Sequence, residues 1–176
     1  MGKSSLLGVA KNHFLTLYDN QSCDNQIKTG DVIFQIGFPL LVGIIVAIGS
    51  AVENWAPSAQ VVSNAIMGLS IVSALMCSMA ALIFQIRLGV RNDESISDSK
   101  KCLIDELFYN IVWAIVIGFF VVLVIVLTDS FDLLNVFVVS SVLIGLISAL
   151  VSHFIIVVCM CLKRLYRSYE ILGIGK

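Results

Sequence analysis

The sequence predicts an all-α fold: a polytopic membrane protein whose four transmembrane helices form a bundle. The chain has 176 residues, of which 59% are hydrophobic and only 13% are charged, whereas soluble domains are about a quarter charged. Four uncharged stretches are each long enough for a helix to cross a hydrocarbon core of about 30 Å, which takes roughly 20 residues. These stretches are apolar nearly all round, which argues against the half-polar helices of a soluble core.

Charged residues set the limits of the predicted spans, which together make one transmembrane domain, residues 32–162. The spans are residues 32–52, 61–86, 107–128 and 133–162. The remaining segments are an N-terminal arm at 1–31, a linker at 87–106 and a basic tail at 163–176.

The distribution of Lys and Arg predicts the orientation. All 11 of these residues lie in the arm, the linker or the tail, and none lies in the two other connections, 53–60 and 129–132. Because basic loops stay on the cytoplasmic side, we expect both the N- and C-termini to be cytoplasmic. The outer surface is then two short turns, which are too small to form an extracellular domain.

The arm carries apolar residues at spacings of three or four, which predicts an amphipathic helix. These residues are Leu6, Ala10, Phe14, Leu17 and Tyr18. Such a helix would lie on the inner leaflet, or it would dock on the bundle or on a partner.

Helical spacing also continues into the linker and the tail. Around the start of the third span, one side of the helix carries Cys102, Leu103, Leu107, Phe108 and Ile111. The charged residues lie on other sides of it: Lys101, Asp105 and Glu106. Beyond the fourth span, the pattern runs to Gly173, which is a typical helix stop. Each extension is either a simple juxtamembrane helix, with basic residues on lipid headgroups, or a surface for a partner. The candidate partner-docking residues are Phe14, Tyr18, Arg91, Lys100, Lys101, Glu106, Arg164, Arg167 and Tyr169.

Small residues recur every four positions in each span, and in lipid such residues let helix backbones approach closely. They are Gly43, Ala47 and Ala51; Ser70, Ala74 and Ser78; Ala114 and Gly118; and Ser141, Gly145 and Ala149. The pattern predicts a close bundle and leaves faces for self-association.

Polar residues inside the spans have two interpretations. The serines bond to their own helix, or they line a water-bearing seam or pore wall in an oligomer. His153 is either functional or a neutral side chain bonded to a serine. Pro39 is expected to kink the first span. The intramembrane candidates are Ser70, Ser141, Ser148, Ser152 and His153.

The residue types argue against several classes of function. No nucleophile–base pair, metal-ligand set or glycine-rich phosphate loop occurs, so we expect no enzyme, no cofactor and no metal. The net charge of -1 gives no reason to expect direct nucleic-acid binding. The predicted spans contain no Asp or Glu, which argues against a proton-coupled carrier.

Three features together carry a resemblance to a known family: the turns 53–60 and 129–132 without basic residues, the linker from Arg87 to Lys101, and the Lys163-Arg164 exit. In this plan the chain resembles the small four-span membrane subunit of the Kiwa antiphage defence system. The resemblance implies a homo-oligomer in the bacterial inner (plasma) membrane that recruits a cytoplasmic, DNA-associated protein. We therefore expect a scaffold or sensor subunit, surrounded by membrane lipids, that presents cytoplasmic segments to a soluble partner. The alternatives are an oligomeric ion channel or holin-like pore, and a lipid-binding device that responds to bilayer stress.

Overall fold

The computed structural model describes Gly8 and residues 29–90, 98–131 and 137–173, and it confirms the all-α fold class with four helices. They are α1 (Thr29–Glu53), α2 (Ala59–Val90), α3 (Asp98–Ser130) and α4 (Phe137–Gly173). The described residues outside these helices lie in the turns at 54–58 and at 131, apart from Gly8, and none of them forms a strand. All four helices are long and apolar enough to cross a membrane. The arm, with Phe14 and Tyr18, and residues 91–97, with Arg91, lie almost entirely outside the described residues.

The helices extend beyond the predicted spans. The third helix begins at Asp98, ahead of the predicted span at 107, and the fourth ends at Gly173. Both extensions confirm the helical spacing seen in the sequence. The candidate membrane-crossing stretch of α3 lies within Lys101–Ser130. The limits of a helix do not give the limits of the bilayer, so the expectation that the spans contain no acidic residue stays a prediction.

The turn between α1 and α2 is closed by specific hydrogen bonds. Asn54 has a φ of 51°, a left-handed conformation that ends a helix and that Asn tolerates better than most residues. The Trp55 N–H donates to the Ser50 carbonyl at 3.1 Å, and Ser50 Oγ donates to the Trp55 carbonyl at 2.7 Å. Ser58 then caps α2, because its Oγ accepts the Val61 N–H at 3.4 Å. With these hydrogen bonds, residues 54–58 are enough to reverse the direction of the chain.

The described residues fall into two compact units. Unit 1 contains the start of α1, to Val32, together with α2 from Leu75, α3 to Ile115 and α4 from Val157. It therefore groups the starts of α1 and α3 with the ends of α2 and α4. Its interior is aliphatic, with Leu107, Ile111 and Val157 at most 1% exposed.

Unit 2 contains α1 from Ile33, the early part of α2, α3 from Val116 and α4 to Ile156. Its helices approach each other closely at a glycine, which has no side chain. A Cβ on Gly118 of α3 would touch the Ser73 hydroxyl and lie 3.0 Å from the Phe154 ring. Gly118 is therefore one point at which α2 and α4 both pack against α3.

Candidate functional site

The candidate site is a cluster of charged side chains in unit 1, which we call the charged end. It comprises Arg87 of α2, Asp105 and Glu106 of α3, and Arg164 of α4. Neighbouring residues on a helix point about 100° apart, so Asp105 and Glu106 can reach different helices. The two carboxylates of α3 thus bind one arginine from each neighbouring helix.

The first ion pair joins α2 to α3. Arg87 donates from Nε to Oδ1 of Asp105 at 2.5 Å and from Nη2 to Oδ2 at 2.8 Å. This two-pronged geometry fixes the orientation of both side chains. The side chains are 34% and 41% exposed, so solvent weakens the pair, and such pairs contribute about 0–1 kcal/mol.

The second ion pair joins α3 to α4 and is much less exposed. Arg164 Nη1 donates to Glu106 Oε2 at 3.0 Å, and the two side chains are 18% and 12% exposed. On the other carboxylate oxygen, Glu106 Oε1 lies 3.9 Å from the Cys102 Sγ. Because a charge left alone in the interior is very unfavourable, each of these two side chains needs the other.

Polar residues continue along this side of α3. Cys102, Glu106 and Asn110 follow one another at intervals of four residues, and Asn110 is completely buried. The helical spacing in the sequence predicted Glu106 off the packed side of the helix and did not indicate Asn110. The placement of Glu106 is wrong because its carboxylate has an arginine on another helix. The four-residue spacing from Cys102 through Glu106 was the sequence signal that could have identified Asn110.

The partner-docking candidates occupy different environments. Lys101 is partly exposed, and Lys100, Arg167 and Tyr169 lie on described helices with side chains outside the described residues. Glu106 and Arg164 bind each other in the interior, so they hold the charged end together and their charges face each other. Tyr166 was not among the candidates, yet its side chain is 65% exposed on α4.

The intramembrane candidates do not form one site. Ser70 of α2 is exposed, Ser141 of α4 is buried, and Ser148 and Ser152 of α4 are partly buried. His153 Nδ1 lies 3.2 Å from the Gln35 carbonyl of α1, so its observed partner is a backbone oxygen and not a serine.

The small residues of α4 pack against those of α1, as the sequence predicts. A Cβ on Gly145 would lie 2.6 Å from the Ala47 Cβ and 2.7 Å from the Gly43 carbonyl oxygen. A Cβ on Gly43 would lie 2.8 Å from the Ala149 Cβ. The sector of α4 that contains Gly145 is therefore in contact with α1 at this point.

Among the described residues, no group of three or more His, Cys, Asp or Glu side chains could hold a metal ion. At the charged end, each carboxylate binds an arginine of a neighbouring helix. The arrangement is therefore suited to joining helices. No protein-family model matches the sequence, and no curated protein and no solved structure matches the chain.

Proposed function

We propose that this chain is a multi-pass membrane scaffold or sensor subunit that self-associates and presents the charged end of its bundle to a soluble cytoplasmic protein. The observation that carries the proposal is the length of the paired helices. The 37 residues of α4 extend about 56 Å at 1.5 Å per residue, against a hydrocarbon core of about 30 Å. The helix is therefore longer than the hydrocarbon core and extends beyond it.

The ion pairs support a firm surface at this end. Arg87–Asp105 ties α2 to α3, and Arg164–Glu106 ties α3 to α4, so three helix ends are held together within unit 1. Helices connected in this way can offer a partner a fixed shape, which lowers the entropic cost of binding. The exposed Tyr166 provides an aromatic side chain of the kind that partners often contact.

The basic residues support a cytoplasmic position for this end. Arg87 lies in the last turn of α2, Lys101 lies near the start of α3, and Lys163 and Arg164 lie in the last third of α4. By the positive-inside rule, unit 1 then faces the cytoplasm. The resemblance to the Kiwa subunit extends the proposal to the bacterial inner (plasma) membrane and to antiphage defence, with protein and lipid, and not nucleic acid, as the direct contacts.

Photo-crosslinking at two exposed aromatic positions tests this proposal. A photoreactive phenylalanine analogue replaces Tyr166 on α4 in one variant and Trp55 in the α1–α2 turn in another, with side chains that are 65% and 51% exposed. In the cell from which the chain comes, position 166 is expected to give one reproducible adduct with a soluble protein. Position 55 is expected to give none, because the proposed orientation puts it on the other side of the membrane. Mass spectrometry identifies the adducts.

Other outcomes of the photo-crosslinking experiment would contradict or change the proposal. Equal adducts at both positions, or protein adducts at position 55 alone, would contradict the proposed orientation and docking surface. Adducts with lipid alone at position 166 would favour a bilayer-responsive device without a protein partner.

Self-association is supported by an outward face of α2 in unit 2. Ser63, Met67, Ser70 and Ala74 share one side of the helix and are all exposed, whereas Leu69 and Ser73 face the interior. Hydroxyl groups and small side chains on the outer side of an apolar helix are typical of helix–helix contacts in lipid. These side chains are exposed in the protomer, and we propose that a second copy covers this face of α2.

Substitution on this face should lower the oligomer mass. Ser70→Leu combined with Ala74→Leu replaces small residues with bulky ones, so the backbones of two copies can no longer approach. Light scattering after size-exclusion chromatography in mild detergent is expected to show a smaller assembly than for the unaltered chain. Val61→Leu, at an apolar position of α2 that is 53% exposed, should leave the mass unchanged.

Two results would redirect this part of the proposal. A monomeric unaltered chain would contradict it. Ion flux through vesicles that contain the purified chain, lost in the double variant, would favour the alternative of an oligomeric channel lined by α2.

A further inference from the structure

Helix α1 continues through a proline. The helix runs from Thr29 to Glu53 with Pro39 inside it. In an α-helix the N–H of residue 39 would bond to the carbonyl of residue 35, but proline has no N–H. The Gln35 carbonyl therefore lacks its usual helical donor, although Gln35 is only 2% exposed.

A side chain of another helix lies at this carbonyl. His153 Nδ1 of α4 is 3.2 Å from the Gln35 oxygen. Because a carbonyl oxygen can only accept, the hydrogen bond requires a proton on Nδ1. Both the neutral ring with its proton on Nδ1 and the charged ring meet this requirement, so the bond does not depend on which of the two is present.

Residues 33–38 of α1 are mostly exposed. Of these residues, whose side chains the structure describes, only Gln35 is buried, and Pro39 after them is also buried. A close contact between α1 and α4 lies beyond the proline, at Gly43, where a Cβ would meet Gly145 and Ala149. The segment 33–38 thus has one buried position, and its backbone carbonyl is bonded to His153.

We infer that His153 and Pro39 form a hinge lock. His153 supplies from α4 the donor that Pro39 removes from α1, so the segment 33–38 stays in line with the rest of α1 while this bond is made. When the bond opens, α1 is free to bend at Pro39, the position at which its own hydrogen bonding is already broken. The bond therefore couples the entry segment of α1 to α4.

A double-mutant cycle on the full chain in lipid nanodiscs tests the lock. Hydrogen–deuterium exchange is measured for the amides of residues 33–38 in the unaltered chain, His153→Phe, Pro39→Ala and the double variant. Loss of one net hydrogen bond should speed exchange by about 3- to 10-fold when Pro39 is present. In the Pro39→Ala background the restored N–H of residue 39 bonds to the Gln35 carbonyl, so His153→Phe should change exchange there by less than about 2-fold.

Two further variants, and one single variant of the cycle itself, make the outcome specific to the bond. His153→Asn places an amide donor near the position of Nδ1 and should preserve the slow exchange. Ile155→Phe, at a position of α4 that is 54% exposed, should have no effect. Pro39→Ala alone leaves α4 unaltered and should slow exchange, which gives a test even if His153→Phe does not fold.

The inference is overturned if His153→Phe speeds exchange equally in the unaltered and the Pro39→Ala backgrounds, since the bond would then have no connection to the proline. Faster exchange in Pro39→Ala, or in His153→Asn to the same extent as in His153→Phe, would also overturn it.

Discussion

Arg164→Met is expected to lower the free energy of unfolding by about 3–5 kcal/mol, because it leaves the Glu106 carboxylate in the interior without its partner. The carboxylate is 12% exposed and receives the Arg164 guanidinium at 3.0 Å. Unfolding in mixed detergent micelles, followed by circular dichroism or by trapping of the unfolded chain, measures the effect. This is among the largest changes that a single substitution in this chain should produce.

The Arg87–Asp105 ion pair provides a matched control. Arg87→Met removes the same charge from a pair whose side chains are 34% and 41% exposed, so the loss should be only about 0–1 kcal/mol. Removing both partners, in the double variant Glu106→Met and Arg164→Met, should recover most of the loss, because apolar side chains can replace a buried ion pair. Equal losses for Arg164→Met and Arg87→Met, or no recovery in the double variant, would show that the Arg164–Glu106 pair is not held as described.

Gly145→Ala is expected to destabilise the protein by about 1–3 kcal/mol, the usual cost of overpacking a close contact. The new Cβ would lie 2.6 Å from the Ala47 Cβ and 2.7 Å from the Gly43 carbonyl oxygen. The carbonyl belongs to the backbone of α1, so the clash is relieved only if α1 and α4 move apart. The same unfolding measurement detects the change.

Gly49→Ala on α1 is the control for this substitution, because a Cβ there has no atom within 4 Å. In a helix interior Ala is favoured over Gly by up to about 1 kcal/mol, so Gly49→Ala should be neutral or stabilising. Opposite signs at the two glycines are the expected result. A stabilising effect at Gly145 would mean that α1 and α4 do not touch at this crossing.

The sequence was sufficient for the helices and for part of their packing. Uncharged stretches located all four spans, and helical spacing extended α3 towards Asp98 and α4 to Gly173. The small residues of α1 and α4 do meet, at Gly43 and Gly145. The length of a span depends on the surrounding solvent, and the spacing of residues depends on helix geometry. Both leave a periodic or uncharged pattern in the sequence.

The charged end was only partly predictable, because its partners lie far apart along the chain. Glu106 and Arg164 were both recognised as charged residues near a span, but their separation of 58 residues gives no sign that they bind each other. For the same reason Pro39 shows that the Gln35 carbonyl lacks its helical donor, whereas the choice of His153 depends on the register between α1 and α4. Contacts of this kind require the relative positions of helices, which periodicity does not contain.

The separation between Glu106 and Arg164 has a consequence for how the protein is made. At about 5–20 residues per second, the ribosome needs roughly 3 to 12 seconds to extend the chain by the 58 residues from Glu106 to Arg164. During that interval the nascent third helix carries an acidic group that its final neighbour cannot yet neutralise. The ion pair that joins α3 to α4 therefore forms late in biogenesis, and a product truncated before Arg164 would lack this connection.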